Sequence, residues 1–126
     1  MLLAELDVVV IDCQASGASP RYGALLEMGW AVTGPGGYLA PLEARWIVPP
    51  PGTLVSRHVR RLTGWSEDCL SNAVRPEEAW LRVRQDVARA PRLPAPCVAH
   101  FARFELSFLA DLHQRHGDGP FPLDTV

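Results

Sequence analysis

No lysine occurs in these 126 residues: all 12 basic side chains are arginine, and isoleucine is confined to positions 11 and 47. That skew matches GC-rich coding bias, so arginine abundance alone is no argument for a nucleic-acid partner. An excess of one charge is also missing, with 12 basic against 14 acidic side chains and a net charge of −2. The chain therefore lacks the broad basic footprint of a dedicated duplex-DNA binder, and any polynucleotide contact must be local. Long apolar runs are absent too. The uninterrupted aliphatic stretch near the start is Val8 to Ile11, against roughly 20 residues for a membrane span. MLLAELD carries no basic region ahead of its apolar residues, so it does not read as a secretory signal, and the expected compartment is the cytoplasm. Cys13, Cys69 and Cys97 lie far apart, without a Cys-x-x-Cys pair. That spacing excludes a disulfide framework and a structural zinc site.

What is present is enough for one domain with many loops: 48% hydrophobic residues, 12 prolines and 10 glycines. LDVVVI at 6–11 reads as a strand buried on both faces, ending at Asp12 before the small-residue loop ASGASPRYG. Leu25 to Thr33 and Tyr38 to Val48 read as two further strands joined by the GPGG turn at 34–37, giving an antiparallel three-stranded meander. PPPG at 49–52 stops the third strand, and Ser56 to Gly64 can form a short helical turn.

Arg75-Pro76-Glu77-Glu78 starts a helix, with proline in the first turn and carboxylates at the positive end of the dipole. Ala79, Trp80, Val83 and Val87 form its apolar stripe, and APRLPAP at 90–96 ends it. Pro96 to Ala99 reads as another strand. Phe101, Phe104, Phe108 and Leu112 give a second helix ending near Gly117, and PLDTV begins a last strand. The order is mixed α/β, a sheet with flanking helices. A chain that stops inside its last strand is expected to be the N-terminal part of a longer domain or polypeptide, with residues 1–126 as one unit.

Asp12 and Glu105 stand out because each adjoins a strand end, where sites gather. If their strands are neighbours, the two carboxylates approach, an arrangement that hard divalent cations favour. On spacing alone, an Asp after a strand is more often a turn or cap residue and a Glu in a first helical turn more often a dipole complement.

VVVIDCQASGASPRYGALLEMGWAV resembles the first motif of the DEDD-type 3′–5′ exonucleases, the family of the proofreading subunit of bacterial DNA polymerase III and of ribonuclease T. That motif is a strand ending Asp-x-Glu, then Thr-Thr-Gly and, after a loop, an Ile-Ile-Glu-Ile-Gly-like strand; Asp12, Gly17, Glu27 and Gly29 match. VAHFARFELSFL is similar to the second motif, Ala-His-Asn-x-x-Phe-Asp opening a helix, with His100, Phe104 and Glu105 in register. VSRHVRRLTGWSED resembles the family's connector, and LDTV the strand after the second helix. The resemblance covers nearly the whole chain.

It implies a ribonuclease H-like exonuclease fold and phosphodiester hydrolysis at the 3′ end of single-stranded DNA or RNA, releasing nucleoside monophosphates. The chemistry uses two Mg²⁺ or Mn²⁺ ions about 3.5–4 Å apart. Asp12 and Glu105 become the metal ligands, with Gln14 a third, neutral member of the catalytic set. Ala15, Ser16 and Gly17, in place of Thr-Thr-Gly, become the loop that meets the terminal nucleotide, and Glu27 a secondary site residue. Three positions depart from the pattern: Gln14 for Glu, Glu105 for Asp and Phe101 for Asn. The third motif, with the last Asp and the general base, is expected beyond Val126, so this chain alone is expected to be inactive. The alternative is a lapsed exonuclease fold that binds nucleic acid or docks a partner in a repair or replication protein. A purely structural module would bind neither metal nor nucleic acid.

Secondary readings concern single side chains. His100 reads as a cap or backbone partner. Arg57, His58, Arg60 and Arg61, followed by Trp65, read either as a solvated helix face or as a track for a single strand. Trp30, Trp46 and Trp80 fit core positions. Cys13, beside Asp12, reads as buried, with its thiol pKa raised by acidic surroundings.

Overall fold

The first strand outlasts the apolar run that starts it. In the computed structural model, which describes residues 8–34, 38–39, 43–90, 92–99 and 102–125, β1 is Val9–Ala15 and β2 is Leu25–Gly34. They pair antiparallel from Val9↔Val32 to Ala15↔Leu25. Asp12 therefore lies inside the strand, which corrects the expected end at that residue. Pairing with β2 carries the backbone onward although the side chains turn polar. On its other side β1 pairs parallel with β5, Ala95–Ala99, with Val9↔Cys97 to Ile11↔Ala99 in register among the described residues.

The expected third strand is described in two segments. β3, Tyr38–Leu39, and β4, Glu43–Trp46, both pair antiparallel with β2, and the register moves by one residue between them. β6, Leu123–Thr125, pairs parallel with β5, so the mixed sheet runs β3-β2-β1-β5-β6, with β4 also on β2. The mixed sheet with its antiparallel meander agrees with expectation. Residues 1–7, 35–37, 40–42, Pro91, His100, Phe101 and Val126 lie outside the described residues, as do the readings placed on them.

Among the described residues, three helices flank the sheet. α1, Arg57–Thr63, has Ser56 accepting from the Val59 N–H at its start and Gly64 in the left-handed region at its end. A 3₁₀ turn, Glu67–Asn72, follows. α2, Pro76–Val87, buries the expected stripe of Ala79, Trp80, Val83 and Val87. α3, Ala102–His116, contributes Phe108, Leu109 and Leu112 to the same core, which also takes Val9, Ile11, Cys13, Met28 and Trp30 from the sheet. Fully burying one such aliphatic or aromatic side chain is worth about 1.5–3 kcal/mol, which makes this layer the main source of stability. Trp30 Nε1 donates to Asp86 Oδ2 at 2.8 Å and ties β2 to α2. Trp80 Nε1 meets His113 Nδ1 at 3.2 Å, tying α2 to α3. Trp80 is therefore core, as expected. Because an indole N–H only donates, His113 Nδ1 is the acceptor there and Nε2 donates to Gly119 O, 3.0 Å away.

One residue breaks the β1–β2 ladder. Gln14 faces Glu27 and Ala15 faces Leu25, so Leu26 is an extra residue on β2. Leu25 packs into the main core, whereas Leu26 joins a smaller cluster with Val55 and Trp65, flanked by Trp46, Val59 and Cys69. That second cluster seats α1 and the 3₁₀ turn. No helix among the described residues is long and apolar enough to cross a membrane.

Candidate active site

Strand periodicity sorts the site. Val9, Ile11 and Cys13 point into the main core, and Val10 and Asp12 are exposed on the opposite face. Gln14 shares that opposite face. Directly opposed residues of a strand pair point the same way, so Glu27, opposite Gln14, and Gly29, opposite Asp12, belong to it as well. Val98, paired with Val10, extends the face as an exposed apolar strip. The structure thus gathers Asp12, Gln14 and Glu27. Trp46, the β4 neighbour of Glu27, stands beside them.

Each of the three carries a physical mark. Glu27 has its carboxyl pKa raised, first by burial and then by the negative charge of Asp12. The two carboxylates are therefore within electrostatic reach. Gln14 Oε1 is fully buried and has no hydrogen-bond donor. A buried acceptor without a donor typically costs about 1–3 kcal/mol, so this atom marks a place suited to a donor or a cation. Asp12 is open to solvent.

Glu105 occupies the first turn of α3 and is 1% exposed. Its charge is felt at Cys13 and Cys97. Burial, then Glu105, then Asp12 push the Cys13 thiol far above its ordinary range. Burial and Glu105 push Cys97 up to about 11. Cys13 is thus buried and inert in acidic surroundings, as expected. Glu105 is therefore within electrostatic reach of Cys13 on β1 and Cys97 on β5.

The loop after β1 is closed tightly. Ser16 N–H donates to Ala24 O at 2.9 Å, and Ala24 N–H donates to Ser16 Oγ at 2.9 Å. Gly17 and Gly23 pack back to back, and a Cβ on either would press into the other segment's backbone. Ala15 is the last β1 residue, Ser16 is committed to the closure, and Gly17 is required for a close approach.

In the basic cluster Arg60 is tied up by intramolecular bonds, while Arg57, His58 and Arg61 are exposed. Arg60 forms two bonds to the Glu67 carboxylate, 2.8 and 2.6 Å, and a third to Val55 O at 3.0 Å. Its guanidinium lies 4.9 Å from the Trp65 ring centre. Trp65 is 6% exposed, which removes it as a stacking platform and favours the solvated-helix reading for Arg57, His58 and Arg61. A cavity of about 240 Å³, lined by Pro20, Leu25, Val48, Phe108 and Leu112 among others, has none of Asp12, Gln14, Glu27 or Glu105 in its wall.

Sequence reading alone missed that Glu27 is the cross-strand partner of Gln14. The signal was the doublet Leu25-Leu26, two apolar residues in a row where a period-two strand should alternate. Among the described residues, no group of three or more His, Cys, Asp or Glu side chains is placed to hold a metal ion. The oxygen donors here include an amide, and they come from β1, β2 and α3.

No protein-family model matches the chain, and no curated protein matches it in sequence. Solved structures match in shape. E. coli Exonuclease I in complex with a 5cy-dA13 oligonucleotide superposes with a TM-score of 0.77 at 10% identity, covering 96% of this chain and 28% of that one. A product-bound exonuclease I gives 0.78 at 10% identity, covering 97% and 30%. A moderately thermophilic Exonuclease I from Methylocaldum szegediense gives 0.77 at 11% identity, covering 96% and 27%. The chain therefore has the α/β, ribonuclease H-like exonuclease fold of these proteins, and it spans less than a third of their length.

Proposed function

We propose that this chain is the N-terminal part of a metal-dependent 3′–5′ exonuclease that trims single-stranded DNA or RNA to nucleoside monophosphates. The observation that carries the reading is the donorless, buried Gln14 Oε1 two residues from Asp12 on β1. It lies where the DEDD pattern has its second acidic residue. A hard cation such as Mg²⁺ or Mn²⁺ fits a set made only of oxygens. Asp12 and Glu105 would hold it as carboxylates and Gln14 as a neutral donor. Bound divalent ions in such sites lower the pKa of a water and neutralise charge on the scissile phosphate. The chain's own residues supply placement. Asp12 is solvent-accessible, Glu105 is fixed by its helix, and the closed loop at Ala15, Ser16 and Gly17 gives the 3′ end a rigid wall. The oligonucleotide held by the E. coli protein of the same fold supports a single-stranded substrate.

The remaining parts of the reading are a third motif and further domains beyond Val126, no membrane partner, and a cytoplasmic setting. The test uses the longest natural form of the polypeptide with a 3′-labelled single strand and Mn²⁺ or Mg²⁺. Stepwise mononucleotide release that stops on chelation is expected. Failure to bind a divalent ion at millimolar concentration would overturn the reading. Gln14 also favours a second reading, a lapsed enzyme that binds nucleic acid or docks a partner. In that case strand binding survives chelator, and only Gln14→Glu cleaves.

A further inference from the structure

We infer that His113 is an acid-released latch. As a neutral imidazole it pins α2, α3 and the segment leading into β6 to one another, and protonation of its Nδ1 undoes the α2 side. The inference does not depend on the metal-site reading.

Geometry is the first argument. Trp80 is fully buried, and its Nε1–H donates to His113 Nδ1 at 3.2 Å. On the other side of the imidazole, Nε2 lies 3.0 Å from Gly119 O. The His113 ring stands edge-on to Trp80 and to Phe121, with centres 5.8 and 5.7 Å away, while Trp80 and Phe121 stack at 6.1 Å. One half-buried side chain thus joins a neighbouring helix to the chain that enters β6. Pro122 O, the next carbonyl after Phe121, accepts from the Ala95 N–H at 2.8 Å, so the same segment is fastened to β5. A Cβ on Gly117 would overlap the His113 ring, and glycine there leaves the ring its place.

Protonation reverses one of these bonds. Neutral imidazole has one donor and one acceptor nitrogen, and imidazolium has two donors. Nothing is lost at Nε2, because Gly119 O still accepts. At Nδ1 an N–H would face the Trp80 N–H, leaving a buried indole without an acceptor.

The surrounding charges do not offset the change. On α2, one turn from Trp80, Arg84 bonds to Asp118 at 3.2 Å and reaches His116 O. The other α2 carboxylates are engaged as well: Glu77 with Arg75, Glu78 with Arg82 and Asp86 with Trp30. On α3 itself, Asp111 is paired with Arg115 at 3.1 Å, and His116 is a second imidazole. The last carbonyls of α3 favour a cation, but that preference is weaker than the need of a buried donor for its acceptor. The folded chain therefore resists a proton that the unfolded chain accepts. Stability from the latch is full above the ordinary imidazole range, about pH 6.5, and is lost as pH falls below it.

The experiment takes the full natural polypeptide from pH 7.5 to 5.0 as wild type, His113→Gln, His116→Gln and Gly117→Ala. NMR follows the assigned Trp80 Nε1–H and the His113 ring, and thermal denaturation runs in parallel. In wild type and His116→Gln, the indole resonance should move towards that of an unbonded indole as the His113 ring titrates. Their melting midpoints should fall at least about 3 °C further than that of His113→Gln, which cannot titrate. Gly117→Ala displaces the ring by crowding, so it should show the acid position of the indole resonance already at pH 7.5. It also serves as the comparison if His113→Gln does not fold. A Trp80 resonance that stays in place while His113 titrates overturns the inference. So does a pH response of the melting midpoint that His113→Gln shares in full, or a His113 ring still neutral at pH 5.0.

Discussion

Replacing Gly17 by alanine tests whether the loop beside Asp12 is rigid for the reason given. Gly17 and Gly23 meet across the neck of that loop. A Cβ on Gly17 would drive into the Tyr22 carbonyl and come within 3.0 Å of Gly23 Cα. The obstacle is backbone, which cannot swing aside as a side chain would. Opening the neck breaks the two 2.9 Å bonds between Ser16 and Ala24. At about 1 kcal/mol for each bond and about 1–3 kcal/mol for overpacking, the variant should lose about 3–5 kcal/mol. Against a total stability of about 5–15 kcal/mol, that loss should lower the melting midpoint by about 10–20 °C in a chain of this size. Gly29→Ala is the control. It lies on the same face, its Cβ meets only Glu43 O at 3.7 Å, and its cost should stay within about 0.5 kcal/mol. Urea denaturation followed by circular dichroism reads both. Equal effects from the two substitutions would refute the close-approach argument.

Three further predictions concern the supports of the site. Trp30→Phe removes the 2.8 Å bond to Asp86 and leaves a half-buried carboxylate without that donor. It should cost about 1.5–3 kcal/mol by urea denaturation, and a cost below about 0.5 kcal/mol would mean the bond does not tie β2 to α2. Arg60 holds the Glu67 carboxyl at about 2, below its unfolded value. The stability it contributes is therefore full above about pH 4.5 and is lost as pH falls towards 2. The melting curves of wild type and Glu67→Gln should converge over that window, and a gap unchanged at pH 2.5 would contradict the assignment. Among the thiols, Cys69 should react with a disulfide reagent at pH 8 in the folded protein. Cys97, pushed up to about 11, and Cys13, pushed higher by burial and Glu105, should react only on unfolding. Equal rates at all three would count against the acidic, buried setting of Cys13.

Local signals were the legible ones. The α2 stripe of Ala79, Trp80, Val83 and Val87 repeats every three to four residues, and Pro76 with two glutamates marks its start, so helix and buried face followed directly. The antiparallel meander around Asp12 followed from short apolar runs, while the β1–β5 neighbourhood stayed conditional until the structure gave it. The end of β1 did not, because Asp12 and Gln14 make the sequence polar while hydrogen bonds to the distant β2 keep the strand going. Cross-strand pairing is also why Glu27 read only as a secondary residue. Trp65 looked available for stacking because nothing local shows that Arg60 covers its ring and Val55 and Leu26 pack around it.

The extra residue on β2 makes the two layers genetically separable. Deleting Leu26 would leave Leu25 opposite Ala15 and Glu27 opposite Gln14 in an unbroken ladder, with the main core still filled by Met28, Trp30 and the two long helices. Val55 and Trp65 would lose the leucine they close on. A one-codon deletion should therefore loosen α1 and the 3₁₀ turn while the rest of the sheet stays folded. That connector is therefore open to being lengthened or replaced without rebuilding the strand that carries Asp12.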